Sequence, residues 1–293
     1  MKRDRENIRK LITEAGFGEF EDYLMKHARP SIRAYAQRTE DENIIPIGNS
    51  KIGGRPDLPQ HMGWVTVDKT KEEKGSLPFI AQFKLEDIKP YDEENILPDT
   101  GILYFFADPF EVHSYVNFGR VIYFDGDPAL LERKEFPEDI PAYQPGHIDR
   151  YYPCTTEFVS EVNLSFEVMD KGNFSKYPEN KTWEDLVNLS YSASYPPRGL
   201  TVNRLLGCNY DVPGDMQLEC QLITDVGDPF RASSAERLKA EQKKDDWQLL
   251  FQMGSDDNAG MMWSDAGTIC FYIRQEDLSN RNFDNICLAF FTS

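Results

Sequence analysis

The sequence predicts an α+β fold, predominantly antiparallel β, in which an internal duplication gives two similar β-rich lobes behind a short N-terminal helical segment. The main observation is a pattern that occurs twice: a glycine turn, a glutamine-centred apolar strand and an aspartate-glycine hairpin. The first copy reads SKIGGRPDLPQHM, LPFIAQF and LPDTGILYFF over residues 50–62, 77–83 and 97–106. The second reads NRLLGCNYDVPGDM, WQLLFQM and WSDAGTICFY over residues 203–216, 247–253 and 263–272. A fixed order at three matched points marks a repeat. Two tandem units bury their apolar faces against each other and leave a groove near the symmetry axis. The second observation is the β-branched and aromatic content of the segments around 77–83, 101–106 and 116–124, which Pro, Asp and Gly punctuate as in an antiparallel meander. The expected organisation is one globule over 1–293, with helices in 1–30, a first lobe over 31–150 and a second over 151–293.

The elements follow in order. Ile8, Leu11, Ile12 and Ala15 lie on one helical face, and Gly16 stands where such a helix ends. A second helix is expected from about Glu19, with Phe20, Tyr23 and Leu24 apolar, closing before Pro30. Residues 31–37 alternate as a strand. Gly53-Gly54 and Pro56-Asp57-Leu58-Pro59 form a rigid irregular loop, because glycine permits positive φ while proline fixes φ and removes a donor. The stretch 124–154, rich in Pro, Asp and Glu with weak periodicity, connects the copies. Val162, Leu164, Phe166 and Val168 alternate as a strand. Thr182 with Asp185, and Ser233 with Glu236, are helix starts of the capping-box type. The second of these helices runs to about Lys244 and feeds the strand at Trp247. Residues 286–291 form the last strand.

Composition narrows the function. Asp and Glu number 50 against 32 Lys and Arg, a formal charge of -18, which repels nucleic acid and anionic lipid. The cations at 239–244 are mixed with Glu236 and Glu241 and read as a solvated face. The longest apolar runs, 102–107 and 286–291, are far shorter than a membrane span, and no apolar export segment follows Met1. A cytoplasmic protein is therefore expected. Cys154, Cys208, Cys220, Cys270 and Cys287 form an odd set without C-x-x-C spacing and read as reduced thiols.

SKIGG, FIAQFKL with Gln82, LP-x-x-G-x-LYFF, Leu206-Gly207, QLLFQMGSD, MMWSDAGTICFYI and Asp277-Leu278 together resemble the YwqG-like family of bacterial proteins, known mainly as a domain of unknown function. The resemblance covers roughly residues 31–293. It implies an α+β, predominantly antiparallel fold containing the duplication, and it brings neither an activity nor catalytic residues. One departure is visible: Leu206-Gly207 stands where the first copy has Gly53-Gly54.

Candidate site residues come from the repeat and from chemistry. Gln82 and Gln252 occupy matched places in apolar strands, where a buried amide needs partners for two donors and a carbonyl. They either build a shared polar site or tie down neighbouring loop backbone, the commoner use. Arg55, Asp57 and His61 sit in the first glycine-proline loop and correspond loosely to Arg204, Asp211 and Asp215. Such loops present side chains on preorganised backbone, and Asx turns also place Asp there. Asp256 and Asp257 offer oxygens to a cation, but Gly267 stands where a calcium loop closes with Glu, so no metal is expected. His27, His61, His113 and His147 are scattered, and neither a nucleophile turn nor a phosphate loop is present. Tyr151, Tyr152, Tyr191, Tyr195 and Trp64 read as loop aromatics that either anchor partners or fill loop cores.

The reading that follows is a cytosolic binding protein without cofactor. It engages a basic protein partner or a small ligand through loops at the inter-repeat groove, in an immunity-like or regulatory role. The alternative is a hydrolase- or transferase-type enzyme in that groove, with His61 or Asp57 as acid/base and Gln82 orienting.

Overall fold

A computed structural model describes residues 4–68, 74–108, 119–140, 151–164, 180–194, 202–208 and 215–291. Helix α1 (Arg5–Glu14) starts at Asp4, whose carboxylate accepts the Asn7 amide, and buries Ile8 and Ile12. The chain then turns at Gly16, φ 79°. The expected second helix is shorter than the sequence suggests: α2 (Glu21–Met25) ends early and strand β1 (Ala28–Arg38) already contains Pro30. Proline is tolerated there because the neighbour on that side pairs only with Ile32 and Arg33, leaving no ladder donor required at residue 30.

The strands that follow are β2 (Lys51–Ile52), β3 (Asp57–Pro59), β4 (Thr66–Asp68), β5 (Lys74–Ser76), β6 (Phe79–Lys84), β7 (Ile102–Ala107), β8 (Gly119–Phe124) and β9 (Leu131–Arg133). They are succeeded by β10 (Cys154–Leu164), β11 (Arg204–Leu205), β12 (Trp247–Gly254), β13 (Thr268–Arg274) and β14 (Ile286–Phe291). Helices α3 (Leu85–Ile88), α4 (Trp183–Ser194), α5 (Met216–Val226), α6 (Ser234–Glu241) and α7 (Gln275–Ser279) lie between them. Ten strands form one antiparallel sheet in the order β14-β13-β12-β11-β1-β10-β2-β6-β7-β8. The two small ribbons are β3-β9 and β4-β5.

The centre of the sheet is the pairing of β1 with β10, from Ala28 opposite Leu164 to Arg38 opposite Cys154. β1 then pairs outward with β11 and β10 pairs outward with β2. The sheet curls until its edges approach: a Cβ on Gly119 of β8 would lie 2.9 Å from the Cβ of Leu288 in β14. Inside the curl, Phe83, Phe105, Phe251 and Phe271 pack ring to ring, with Phe83 and Phe251 at 5.0 Å and Phe105 and Phe271 at 5.1 Å. On the outside, α1, α2 and α4 cover Val162 and Leu164, and α5 covers Trp247, Tyr272 and Cys287.

The segments sharing the sequence pattern take corresponding places. Lys51 faces Gln82 and Ile52 faces Ala81, while Arg204 faces Gln252 and Leu205 faces Phe251. The ladder is irregular at Ile80 and at Leu250. There the Gly53 amide donates to the Ile80 carbonyl at 2.8 Å and the Leu206 amide to the Leu250 carbonyl at 3.2 Å. Both donors are left-handed, φ 66° at Gly53 and 59° at Leu206.

Other expectations shift at their boundaries. The strand read at 162–168 begins at Cys154, and its residues beyond 164 lie outside the described ones. The connection at 124–154 contains β9, and α5 was not legible as a helix. Thr182 and Asp185 exchange hydrogen bonds ahead of α4, and Ser233 with Glu236 completes a capping box at α6. All five cysteines are free and buried. Among the described residues, no helix is long and apolar enough to cross a membrane.

Gly53 and Gly227 both have positive φ, but a Cβ on Gly53 would meet the Tyr152 carbonyl oxygen at 2.3 Å, whereas one on Gly227 meets nothing within 4 Å. Gly227→Ala should cost about 1 kcal/mol, the left-handed penalty alone, and Gly53→Ala clearly more. Urea denaturation of both variants checks this ordering.

Candidate functional site

Two features draw together the polar residues of this chain, and they have opposite character. The first is a buried ion network around Asp57. The Asp57 carboxylate accepts from Arg133 Nε at 2.8 Å, Lys51 Nζ at 3.1 Å, the Gly48 amide at 3.0 Å and Gln82 Nε2 at 2.8 Å. Gln82 Oε1 accepts the Asp57 amide at 2.8 Å, and Gln82 Nε2 also donates to the Asn49 carbonyl at 2.8 Å. Tyr104 donates its hydroxyl to the Asp57 carbonyl at 2.6 Å. Glu42 closes the network: it accepts from Lys51 at 3.2 Å and from the Arg55 amide and Nε at 2.7 and 2.9 Å. Its backbone carbonyl accepts from Arg133 Nη1 at 2.7 Å.

Lys51, Asp57 and Gln82 are all 0% exposed. Burial works to raise the Asp57 carboxyl, but the Arg133 hydrogen bond, the Lys51 charge and the Gly48 amide outweigh it and hold the group below the ordinary carboxylate value. The site is thus ionised and filled, with each Gln82 polar atom engaged. Arg55 lies at its edge and reaches Glu135 at 2.7 Å. His61 is exposed on the turn after β3.

The segment around Arg204 that shares the sequence pattern has no such network among the described residues. Arg204 and Gln252 are buried, and Arg204 Nη1 donates to the Cys208 carbonyl at 3.2 Å. Asn203 Nδ2 donates to Asp256 at 2.8 Å, which ties the turn to the acidic segment. Asp256 is itself buried, and burial raises its carboxyl above the ordinary value. Among the described residues, no group of His, Cys, Asp and Glu could hold a metal. Asp211 lies outside the described residues, and Asp215 caps α5 by accepting the Leu218 amide. Gln82 and Gln252 each adjoin a residue of the aromatic interior, Phe83 and Phe251, and alternation turns both amides away from that interior. Gln82 is directed to the Asp57 loop rather than to Gln252.

The aromatics differ from their sequence reading. Tyr151 is buried against Trp263, Tyr191 lies in α4, and Trp64 is half-buried with Nε1 donating to the Leu77 carbonyl at 2.8 Å. Tyr152 is half-buried under Arg38, 3.6 Å above its ring. Tyr195 lies outside the described residues.

The second feature is an open cleft of about 560 Å³, bounded by the turn Leu206-Gly207-Cys208, the loop after α3, the start of β12, and α7. That volume lies in the range of small-molecule sites, roughly 300–1,000 Å³. Its wall includes Tyr272, 2% exposed, whose buried hydroxyl makes no hydrogen bond among the described residues. Burial and the neighbouring thiols push that phenol well above its usual range. Gln217 and Gln275 each donate one N–H to the Trp247 and Asp245 carbonyls, at 2.5 and 3.1 Å, which fixes both side chains at the cleft. Behind Gly207, whose Cβ would collide with Ser31 and Asn163, the Ser31 Oγ and Asn163 Oδ1 atoms are also buried without a hydrogen bond among the described residues. The cleft is thus open, whereas the polar atoms of the Asp57 network are filled from within the chain. Sequence reasoning missed the cleft because Tyr272 reads as an ordinary core position of an apolar strand. Lys51, Glu42 and Arg133 were missed because each lies in a different segment.

A model of the family described as Domain of unknown function (DUF1963) matches residues 50–290. No curated protein matches the chain.

Removing Asp57 leaves Glu42 as the remaining carboxylate facing the buried Lys51 and Arg133, so Asp57→Ala should cost about 3–5 kcal/mol in urea denaturation. Asp57→Asn gives the pH sign. A carboxyl held below its unfolded value contributes stability above that value and loses it as pH falls through the folded value. The advantage of wild type over Asp57→Asn should therefore be full at pH 6 and shrink below about pH 4.

Proposed function

The chain belongs to the DUF1963 family, and we propose that within it this protein acts as a binding protein whose site is the cleft beside Leu206-Gly207-Cys208. One observation carries the reading: an open cavity of about 560 Å³, within the roughly 300–1,000 Å³ range of small-molecule sites. Its lining mixes apolar side chains such as Leu206 and Leu249 with the polar Gln217, Gln248 and Gln275, which suits a ligand held by shape and oriented by a few polar groups. The Asp57 network offers no such space. We assign Arg55, Asp57 and Gln82 the structural task of pinning the glycine-proline loop, and Arg204 and Gln252 the matching task in the other half. The enzymatic alternative has less support: Asp57 is wholly buried and saturated with donors, and His61 is exposed on a turn.

The same proposal has an internal duplication at its root, supported by the matched registers and ladder irregularities at Ile80 and Leu250. It treats 1–293 as one unit, with helices in 1–30 and repeat segments over 31–150 and 151–293. It places the chain with the YwqG-like proteins of bacteria, on the order of its motifs, and in the cytoplasm. An immunity-like or regulatory role, exerted on a basic partner or through a small ligand, agrees with the charge of -18.

Ser279 is exposed on α7 at the cleft, and Ser279→Trp should fill it. In a ligand-observed NMR screen of small polar compounds, binders should be found for wild type and lost, or weakened at least about tenfold, in Ser279→Trp. Binders that ignore the tryptophan would place the site elsewhere.

A further inference from the structure

Resting on the cleft as the binding site, we propose that its occupant is an extended peptide segment, which enters the central sheet as a further strand in line with β11. The starting point is a gap in the ladder. β11 pairs with β1 on one side and with β12 on the other, but only through Arg204 and Leu205. Both neighbours continue past the point where it stops: β1 has residues 28–31 before Ile32, and β12 has residues 247–250 before Phe251. Strands flanking a third stand two spacings apart, roughly 9–10 Å, so the space between them beyond Leu205 is one strand wide. The cleft lies there, with Arg29 and Pro30 of β1 and Trp247, Gln248 and Leu249 of β12 in its lining.

The chain leaves this space by a forced turn. Leu206 and Gly207 take φ 59° and 75°, and once the Leu206 amide has reached the Leu250 carbonyl, the Cys208 carbonyl accepts from Asn163 of β10 at 3.0 Å. The turn is thus drawn across β1 and out of line with β11. The corresponding turn at Gly53-Gly54 leaves no such pair of overhanging flanks, because β10 begins at Cys154, opposite Ile52. The flanks themselves suit a strand. The Ala34 amide donates to the Asn203 carbonyl, so alternation directs the backbone groups of Ile32, Pro30 and Ala28 to the same side. Pro30 has no N–H, and its carbonyl there calls for a donor alone. The Ala28 carbonyl receives a long bond from its neighbour Arg29, 3.4 Å. On the other flank, the Trp247 carbonyl takes its hydrogen bond from the Gln217 side chain at 2.5 Å, at a position no β11 residue reaches. A compact ligand leaves both ladders unfinished. A peptide running in the direction of β11 is antiparallel to β1 and β12 alike, and about four residues at roughly 3.3 Å each span the gap.

The test uses the full chain and affinity selection from a library of acetylated, amidated random hexapeptides, followed by anisotropy titration of the enriched sequences. We expect those peptides to lose about tenfold or more in affinity in Ser279→Trp, an exposed position on α7. Two measurements on wild type need no variant. Methylating any one backbone nitrogen in the middle of the peptide should cost about tenfold or more, and methylating the terminal one less than about twofold. Binding should also slow hydrogen exchange within residues 28–31 and 247–250 and leave β7 unchanged. Peptides that are blocked by Ser279→Trp but tolerate every methylation and slow no exchange overturn the strand and keep the cleft. The same holds if no peptide is enriched while the NMR screen finds small compounds sensitive to Ser279→Trp. Peptides held equally by wild type and Ser279→Trp, without slowed exchange at either flank, overturn the inference as adhesion elsewhere. If neither screen finds a binder sensitive to Ser279→Trp, the strand and the cleft both fail, and slow exchange at the two flanks of the free protein would identify another part of the chain as the occupant.

Discussion

The long antiparallel contact between β1 and β10 is the constraint on which the rest of the sheet depends. It runs the full length of both strands, and each hands the sheet on to the other half of the chain: β1 to β11, β10 to β2. Within it, Arg33 and Glu161 form a buried pair, Nε to Oε2 at 3.0 Å, with Arg33 only 1% exposed. An isolated charge at that depth would cost several kcal/mol, so register at the centre is set by charge as well as by the pleat. From this centre the outer strands bring Phe83 and Phe251 together edge to face and the edges β8 and β14 into proximity.

The two segments that share a register use their corresponding positions differently. In one, a lysine beside the glycine turn meets Asp57, Glu42 and Arg133, and the turn is sealed by ions. In the other, the basic residue is Arg204, it leans on the Cys208 carbonyl, and the adjoining surface opens as the cleft. The difference includes the turn itself. Leu206 holds a left-handed conformation that costs a leucine roughly 1–2 kcal/mol, where the first half has glycine. Backbone strain therefore lies at the rim of the cavity.

Much of the fold was legible. The period-2 strands, the glutamines at matched places and the capping signals at Thr182 and Ser233 are local, and local chemistry is what a sequence displays. The glycine-proline loop was singled out for Arg55, Asp57 and His61, and Asp57 is the hub of the network. Its partners were not legible: Arg133 lies in a stretch without periodicity, and only the pairing of β9 with β3 carries it to Asp57. Pro30 was read as a helix stop because a proline inside a strand is disfavoured, unless the strand has an uncovered flank, which is a fact of tertiary structure. Tyr151 was read as a loop aromatic because its neighbours are polar, yet it packs on Trp263, a contact across the chain. The cleft combines such long-range neighbours throughout, so nothing local announces it.

The exchange of central strands also bears on how the chain is made. β1 ends at Arg38, but its long partner begins only at Cys154, and its other neighbour, β11, begins later still at Arg204. Through the synthesis of the chain between Arg38 and Cys154, β1 waits for both neighbours, and β2 likewise waits for β10 on one side. The growing chain must keep these edges from other chains until residue 164 is available, and the final sheet is assembled from contacts of high sequence separation. Folding that is late, slow and dependent on protection during synthesis is the cost of a sheet whose two halves are stitched through each other.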